Sequence, residues 1–476
     1  MVKGVTLHKP YNNAQVFATS SAGMILVGMM ISWGFPSASL PQMEQPDSDI
    51  HFTAEAASWF ATVPFLMLIP GSFIGSSAYE WAGPRRTFLL LSLILCCSIM
   101  SMSLTGWTLV QEAGMAEILL LASRVVQGSA VAFLIPFVSV YTYEISDQYL
   151  RGTLTSVTEA FATSGFVLCY LAGCFLSWRT SAIVLPLVTL VPGFIGIFFS
   201  HESPLWLARI GKEEKASEIL SVMRCTEEEA ASDLKTARRD VGRACKWSES
   251  LQMLLKKSNA LAVVLSSSLM VMKEISGFAV LSIYVVQIFQ EAGVGLDPKW
   301  SSVVVGMARL ACNVLGSFML HNFRRRLIFV VGNTLTGLAT AAIGTFFYLQ
   351  SRGWDISHLT WLPLAALVVH MVGYAGGVGP CTWTASVEVL PGPVRSIGTG
   401  IFSTSYATAA FVISKSYPNI RDMIGLHGVF WMFSGGCIGY ILLAIFFLPE
   451  TKGKSLQDIE DYWENVTKKR NARVYV

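Results

Sequence analysis

Long apolar runs, each ended by a short polar stretch, recur along the whole chain. Examples occupy residues 87–105, 182–199, 327–348 and 429–448. Each has roughly the 20 residues that an α-helix needs to cross a bilayer, and about twelve such runs can be counted. Because bare backbone polar groups are costly in hydrocarbon, runs this uniformly apolar predict helices rather than the alternating strands of a barrel. The predicted fold class is an all-α membrane protein.

Composition and cysteine usage narrow the functional classes. Hydrophobic residues make up 53% of the chain and charged residues 14%, whereas about a quarter of a soluble protein is charged. The nine cysteines are an odd number and form no disulfide framework or metal motif. No nucleophile with a nearby base and no phosphate-binding glycine loop is found. We therefore expect no enzyme, no cofactor, no metal and no nucleic-acid partner, but a lipid bilayer and a small-molecule substrate.

Basic residues gather in alternate loops. If the spans alternate in direction, these loops share one side, and the positive-inside rule makes that side cytoplasmic. The first loop on the opposite side is acidic, with Glu44, Asp47, Asp49 and Glu55. Both termini are therefore expected inside. The basic positions are Arg85, Arg86, Arg151, Arg324, Arg325, Arg326, Arg395 and the lysines that follow residue 451.

A charged segment divides the chain. Its charges alternate with apolar positions at helical spacing, and Ile219, Leu220 and Met223 form an apolar stripe. This pattern favours short amphipathic cytoplasmic helices, with a disordered linker as the alternative. The predicted segments are a six-helix bundle at 1–200, a cytoplasmic helical linker at 201–258, a second six-helix bundle at 259–448 and a cytoplasmic tail at 449–476.

Three features of the first bundle recur in the second at nearly one spacing. Arg85-Arg86 recurs as Arg325-Arg326, a glutamate seven residues before an arginine recurs, and so does a single glutamate, with offsets of 240, 244 and 248 residues. Parallel repeats of this size are typical of alternating-access transporters. The second feature pairs Glu144 and Arg151 with Glu388 and Arg395, and the third pairs Glu202 with Glu450.

The repeats carry longer motifs, which are GVGPCTW at 377–383, ESPLWL at 202–207 and PETKG at 449–453, supported by Ser58-Trp59. With these motifs the chain resembles the sugar porter family of the major facilitator superfamily over nearly its whole length, and within it the facilitated trehalose transporters. The resemblance implies the major facilitator fold, with about twelve transmembrane helices in two pseudo-symmetric bundles, and a location in the plasma membrane.

The resemblance also implies that cytoplasmic charges gate the carrier. Arginine–carboxylate hydrogen bonds would pin helix ends that face each other across the two halves, and would release them in another conformation. For any single arginine the alternative is that it only obeys the positive-inside rule. The residues given a gating role are Arg85, Arg86, Arg124, Glu144, Arg151, Glu202, Arg325, Arg326, Glu388, Arg395 and Glu450.

Ionisable and aromatic residues from both halves fall at similar depths. Counted from the cytoplasmic anchors at 1.5 Å per residue, they lie roughly 12–24 Å from the inner face, in the middle layer of a core about 30 Å thick. Substrates of such transporters bind there, and Trp383 supplies an aromatic face for a sugar ring. The predicted substrate-binding residues are Glu159, Lys273, Glu274, Ser276, Gly277, Arg309, Trp383 and Tyr406.

The chemistry of this layer departs from the family. The family's amides are replaced by Glu159, Lys273, Glu274 and Arg309, whose charges sum to zero. Ionisable groups at this depth normally face a cavity and one another. We hypothesise that Glu159 pairs with Lys273 or Arg309 across the cavity, or that the charges bind a charged substrate. The alternative is that one or two of them point away and only fill polar gaps.

Three functions follow. The first is a facilitative carrier of a sugar, either a hexose or trehalose, because Trp33-Gly34-Phe35-Pro36-Ser37 lacks the aspartate that proton-coupled members of the family carry in the first span. The second is a carrier of a zwitterionic or charged organic solute on the same fold. The third is a non-transporting sensor. The sequence leaves the oligomeric state open.

Overall fold

The computed structural model describes residues 13–45, 48, 50, 53–106, 114–147, 150–223, 252–452, 454 and 456–474. Its first half contains α1 (Asn13–Met43), α2 (Ala54–Ala82), α3 (Pro84–Ser101), α4 (Ala116–Ile145), α5 (Arg151–Phe175) and α6 (Trp178–Phe199). Two short helices follow, α7 (Pro204–Arg209) and α8 (Glu213–Met223). The second half contains α9 (Lys257–Ile275), α10 (Phe278–Ala292), α11 (Pro298–Asn322), α12 (Arg325–Ser351), α13 (Leu362–Gly373), α14 (Gly379–Glu388) and α15 (Arg395–Phe446), and α16 (Leu456–Val474) ends the chain.

The two halves repeat one arrangement of six long helical arms. In the second half, α9 with α10 forms one arm, α13 with α14 forms another, and α15 supplies two because it breaks at Gly425 (φ 72°, ψ 167°). Both ends of α15 meet the same end of the bundle: Val389, just before α15, accepts from Trp463, and Leu448, just after it, accepts from Arg326. The chain therefore doubles back at Gly425. We call this end, which also carries α7, α8 and α16, the linker end, and the opposite end the distal end.

The arms have the length and composition of membrane spans. Within the described ranges, nine helical segments of at least 18 residues are apolar enough to cross a bilayer, and one of them, Ile397–Phe446, is the doubled-back α15. Side chains such as Phe175, Phe199 and Phe446 lie at least 70% exposed on the outside of the bundle. Exposed aromatic surface of this kind is stable in lipid and not in water. The chain is an integral membrane protein, as the apolar pattern predicts.

Two arms of the second half are interrupted, which the uniform apolar runs do not predict. Between α9 and α10, Gly277 adopts φ +92°, a left-handed conformation that favours glycine. A Cβ added there would lie 2.4 Å from the Phe433 ring. Between α13 and α14, residues Tyr374–Val378 form a π-helical turn, a feature that often marks functional sites. Both breaks lie at mid-depth, so they expose backbone and redirect side chains there.

The predicted linker is helical where the structure describes it. Helix α8 buries Ala216, Leu220 and Met223, and the backbone carbonyl of Met223 accepts a hydrogen bond from Gln15 of α1. Helix α16 packs on the other half, where the Trp463 indole donates to the carbonyl of Val389 at 3.0 Å. Residues 224–251, which include Cys225 and Cys245, lie outside the described residues. Each half therefore carries an amphipathic helix against its linker end.

Candidate functional site

Lys273 and Glu274 form the most deeply buried ion pair in the described part of the protein. They occupy the last turn of α9, and their side chains are 3% and 0% exposed. The Lys273 ammonium nitrogen lies 3.4 Å from Glu274 Oε1, but it is poorly aligned, so both carboxylate oxygens lack a well-formed hydrogen bond. The amide of Ala279 in α10 points at the carboxylate, and a helix N-terminus favours negative charge. Adjacent residues rarely face each other within a helix. Lys273 and Glu274 can meet because α9 ends just beyond them, before the break at Gly277.

The Lys273 ammonium is also enclosed by aromatic rings. It lies 4.3 Å from the ring centre of Tyr406, 5.2 Å from that of Trp383 and 5.8 Å from that of Phe278. A cation over an aromatic face is attracted by the ring quadrupole, and more strongly away from water. Trp383, the predicted sugar platform, keeps 38% of its surface exposed while sharing one side with Lys273. Trp383 and Tyr406 thus lie together as predicted, around a cation that belongs to the protein.

Arg309, on α11, is clamped by aromatic rings from both halves. Its guanidinium carbon lies 4.2 Å from the ring centre of Phe166 on α5 and 4.7 Å from that of Phe278 on α10. The Phe278 ring in turn stacks on Tyr374 of the π-helical turn at 3.9 Å and 6°. Stacking occupies the faces of the guanidinium and leaves its donor edge free. Arg309 is therefore held in place without an ion pair among the described residues.

Glu159, on α5, faces the space between the halves. It is exposed, although it lies eight residues inside its helix. The cations that attract it electrostatically, Arg309 first and then Lys273, both belong to the other half. In the described part of the chain no cation comes within the 4 Å of a salt bridge. The expected ion pair between Glu159 and Lys273 or Arg309 is therefore absent, because Lys273 pairs with its neighbour Glu274 and Arg309 is held by rings.

Ser276 and Gly277 shape the site without facing its open space. The Ser276 hydroxyl is fully buried and donates to the carbonyl of Lys273 at 2.6 Å. Gly277 supplies the left-handed residue that turns α10 away from α9. Among the predicted binding residues, the structure brings together Glu159, Lys273, Glu274, Arg309, Trp383 and Tyr406, which we call the central site.

The repeated glutamates at the linker end cap helices in matching ways. Glu202 Oε1 accepts from the backbone amide of Arg85 at 3.0 Å, and Glu450 Oε1 accepts from that of Arg325 at 3.1 Å. These amides open α3 and α12, where a carboxylate is stabilised by free N–H groups and the helix dipole. Burial raises the pKa of Glu202, opposed by these hydrogen bonds. Each glutamate thus joins the last arm of its own half to that half's third arm.

The other predicted gating contacts also lie within one half. Arg325 forms a two-point contact with Glu388, at 3.0 and 3.3 Å, and Thr451 donates to the same carboxylate at 2.6 Å. Glu144 accepts from Ser203 and, at 2.8 Å, from Arg209 of α7. In this conformation these pairs therefore do not link the two halves, which is where the sequence predicted their contacts. They tie the linker end of each bundle to its own flanking segments.

The remaining gating residues have separate roles. Arg124 is fully buried inside the first half, where its guanidinium donates to the carbonyls of Ser32 at 2.6 Å and Phe60 at 2.8 Å. It lies eight residues from the distal start of α4 and takes no part in the linker-end contacts of this conformation. The sequence assigned Arg124 to the gate from a family motif, which does not specify how deep a residue lies in the membrane. Arg86 attracts Glu202 electrostatically. Arg326 donates to the carbonyl of Leu448, and Arg395 donates to that of Leu390. The Arg151 side chain lies outside the described residues.

Contacts between the halves are found at the distal end. Gln287 of α10 donates to Glu44, which follows α1, at 2.8 Å. Lys415 of α15 donates to the Ser58 hydroxyl of α2 at 2.7 Å and lies 4.3 Å from the ring centre of Trp59. Closer to the centre, Asn313 donates to Thr163 at 2.9 Å. The Gln287 and Lys415 contacts hold the two halves together on the distal side of the central site, and the Asn313 contact joins them at its depth.

Comparisons with known proteins agree with this architecture. A family model described as "Sugar (and other) transporter" matches residues 20–463. The chain belongs to the sugar porter family of the major facilitator superfamily. The predicted family and fold are confirmed.

Curated relatives of this sugar porter include insect transporters. "Facilitated trehalose transporter Tret1" of Drosophila virilis is 31% identical over 463 residues, which cover 96% of this chain and 49% of that protein. The protein of the same name from Culex quinquefasciatus is 29% identical, over 94% of this chain and 85% of that protein. The chain spans about half the length of the Drosophila relatives that it matches.

Solved structures share the fold of this sugar porter. The xylose transporter XylE from E. coli, in a partially occluded inward-open conformation, aligns with a TM-score of 0.77 at 17% identity, covering 93% of this chain and all of that one. XylE bound to 6-bromo-6-deoxy-D-glucose aligns with a TM-score of 0.76 at 19% identity, covering 95% and 100%. At such identities the likeness concerns the fold alone.

Sequence reasoning missed several residues of the sugar porter's site. Phe166, Phe278 and Tyr374 read as ordinary core aromatics, and only their position beside the breaks at Gly277 and at the π-helical turn makes them walls of the central site. The pairing of Lys415 with Trp59 was also missed. Its available signals were the Ser58-Trp59 motif and a lone lysine within an apolar run, because such a cation needs a partner.

Acidification on the distal side is expected to favour the closed distal end. Burial raises the pKa of Glu44, and this outweighs the hydrogen bond from Gln287 and the attraction of Arg421. Tyr284 also faces Glu44, and Glu291 pairs with Arg421. If opening separates Glu44 from the α10 surface that covers part of it and restores an ordinary pKa, the closed state binds the proton more tightly. Its extra stability is then present at low pH and lost as the pH rises through the raised pKa.

The measurement is the rate of substrate entry from the distal side as the pH on that side is varied. Entry should slow at low pH in the unchanged protein and lose this dependence in Glu44→Gln. The control is Glu117→Gln, which changes an exposed distal carboxylate at the start of α4 and should keep the wild-type profile. An unchanged pH profile in Glu44→Gln would contradict the assignment.

Proposed function

We propose that the protein is a facilitative sugar carrier, for a hexose or trehalose, that works by alternating access. The observation that carries the proposal is a site at mid-depth between two matching bundles that contact each other at the distal end. Carriers of this superfamily bind substrate at such a place and rock one bundle against the other. The exposed face of Trp383 suits the apolar side of a sugar ring, and open Arg309 and Glu159 supply donors and acceptors for its hydroxyls. The name of the Tret1 relatives supports trehalose as a candidate.

We also propose the sidedness and location. Arg85, Arg325, Arg326 and Arg395 flank the arms at the linker end, so the positive-inside rule supports a cytoplasmic linker end, with both termini inside. The distal contacts then close the outside of the carrier, and its central site opens inward. We propose the plasma membrane as its location and no catalytic activity.

Uptake of labelled trehalose and glucose into proteoliposomes tests the proposal, with and without a pH gradient. We expect saturable uptake that equilibrates without accumulating and does not follow the gradient. Trp383→Leu should lower uptake about tenfold or more, because loss of a large apolar contact costs roughly 1.5–3 kcal/mol. Trp354→Leu, which changes a tryptophan 68% exposed in a distal loop, is the matched control and should leave uptake unchanged.

Two results would contradict this proposal. An absence of sugar uptake in protein that remains folded would exclude the sugar cargo. Accumulation driven by the pH gradient would exclude facilitated diffusion in favour of symport.

A further inference from the structure

The ion pair between Lys273 and Glu274 leaves two opposite charges in the central site without a partner. Glu159 comes from α5 of the first half and Arg309 from α11 of the second. They attract each other, yet in the described part of the protein no cation reaches the Glu159 carboxylate within 4 Å. Charged groups at mid-membrane are costly unless they face a cavity and a counter-charge. Glu159 is exposed and attracted by Arg309 of the other half, so the two unpaired charges face each other across the boundary between the halves.

Arg309 is built as a receptor for an oxyanion. Phe166 and Phe278 hold the faces of its guanidinium at 4.2 and 4.7 Å. Arg309 is half-buried, and its guanidinium donates to no acceptor among the described residues, so its donor edge is free for a ligand. A planar fork fixed by stacking binds a carboxylate through two parallel hydrogen bonds with little loss of side-chain freedom.

Glu159 offers the complementary group. Its backbone carbonyl accepts from Thr163 at 3.0 Å, while its carboxylate has no hydrogen-bond donor among the described residues and is not enclosed. An ammonium carries three donors and no acceptor, which matches an acceptor-only carboxylate. The aromatic enclosure formed by Tyr406, Trp383 and Phe278 is already filled by Lys273, so Glu159 is the free binding point for a ligand cation.

We infer that the central site also binds and carries small zwitterionic solutes, with the ligand's ammonium on Glu159 and its carboxylate on Arg309. A neutral sugar can donate to Glu159 and accept from Arg309, but it leaves both charges uncompensated. A zwitterion neutralises both and bridges the two halves, which couples binding to their approach. The inference rests on the proposed carrier function and adds a substrate class to the same site.

Proteoliposome uptake tests the inference with labelled alanine and γ-aminobutyrate beside trehalose and glucose. Propylamine and propionate, each with one of the two charges, are the matched solutes. We expect saturable uptake of at least one zwitterion, competition between it and the transported sugar, and little uptake of either single-charge solute. The thermal denaturation midpoint of the purified protein should rise with the same zwitterion.

Selectivity in two variants separates a binding role from a structural one. Glu159→Gln should lower zwitterion uptake about tenfold or more, because the ligand's ammonium would lose its counter-charge, and should raise the uptake of propionate relative to alanine. Arg309→Gln should do the reverse and favour propylamine. Glu218→Gln, an exposed position on α8, is the control and should leave every ratio unchanged. If one variant fails to fold, the other still tests the inference, and its selectivity between the two single-charge solutes should change in the opposite direction.

The outcomes distinguish the inference from the proposed function. Sugar uptake without zwitterion uptake or competition overturns the inference and leaves the sugar carrier standing. Zwitterion uptake without sugar uptake does the opposite. Equal loss of all solutes in both variants, with no change in selectivity, also overturns the inference, as does a protein that neither transports nor is stabilised by any zwitterion.

Discussion

Replacing Lys273 by glutamine is expected to lower the free energy of unfolding by about 3–5 kcal/mol, because the change leaves Glu274 as an uncompensated buried charge. Glu274 has a fully buried side chain and no other cation in ion-pair contact in the described part of the chain. Glu274→Gln should cost a similar amount, since the Lys273 ammonium would keep only its aromatic neighbours. The double change installs the two amides expected of the family at these positions and should recover much of the loss. The thermal denaturation midpoint in detergent is the measurement.

A second ion pair supplies the control for these single and double substitutions. Arg421 and Glu291 lie 2.9 Å apart at the distal rim, with 37% and 41% of their side chains exposed. Exposed pairs contribute about 0–1 kcal/mol, so glutamine at either position should shift the midpoint little. Adding Glu159→Gln to Lys273→Gln should not recover the loss, because Glu159 is not the partner of Lys273. If that combination, rather than the change at Glu274, restores stability, the pairing described here is incorrect.

Replacing Gly277 by alanine is expected to destabilise the protein by about 2–5 kcal/mol and to abolish most transport. A side chain at φ +92° costs roughly 1–2 kcal/mol, and the added Cβ, 2.4 Å from the Phe433 ring, forces an overpacking strain of about 1–3 kcal/mol. The break at Gly277 also sets the direction of α10, which carries Phe278 to the central site and Gln287 to the distal contact. Thermal stability and sugar uptake are the two measurements.

Gly435 provides the matched glycine. It lies inside α15, and an added Cβ there meets no atom within 4 Å. Gly435→Ala should therefore be neutral or slightly stabilising, since alanine is the better helix former by about 1 kcal/mol. Combining Gly277→Ala with Phe433→Leu should recover the packing strain but not the backbone strain. Wild-type stability in Gly277→Ala alone would show that the left-handed turn is not required.

Much of the architecture could be predicted because lipid restricts the choices. A run of about 20 apolar residues has to be a helix in a bilayer, so the number and order of the arms followed from the apolar runs. The repeat was equally informative: Glu202 and Glu450, 248 residues apart, cap α3 and α12 in the same way. The repeat did not show that these contacts lie within one half. A sequence motif shows which charges occur, but not which half holds their partners.

For the central site, the sequence predicted which residues belong to it but not how they pair. Its members were predicted from depth, since the rise per residue places Glu159, Arg309 and Trp383 in one layer. Their pairing was not, because it depends on directions around each helix and on where a helix stops. Lys273 pairs with Glu274 only because α9 ends at Ile275, and Arg309 stays unpaired because Phe166 of the other half stacks on it.

The sequence by itself therefore determined that this protein is a two-halved membrane protein of the sugar porter fold with ionisable groups at its centre. Helix length, lipid energetics and the repeat are properties of short segments, and a single chain displays them directly. Only the tertiary structure decided which charges neutralise each other and which remain open to a substrate. Those choices depend on side chains brought together from α5, α9, α10, α11, α14 and α15, and on the breaks that orient them, which no segment specifies alone.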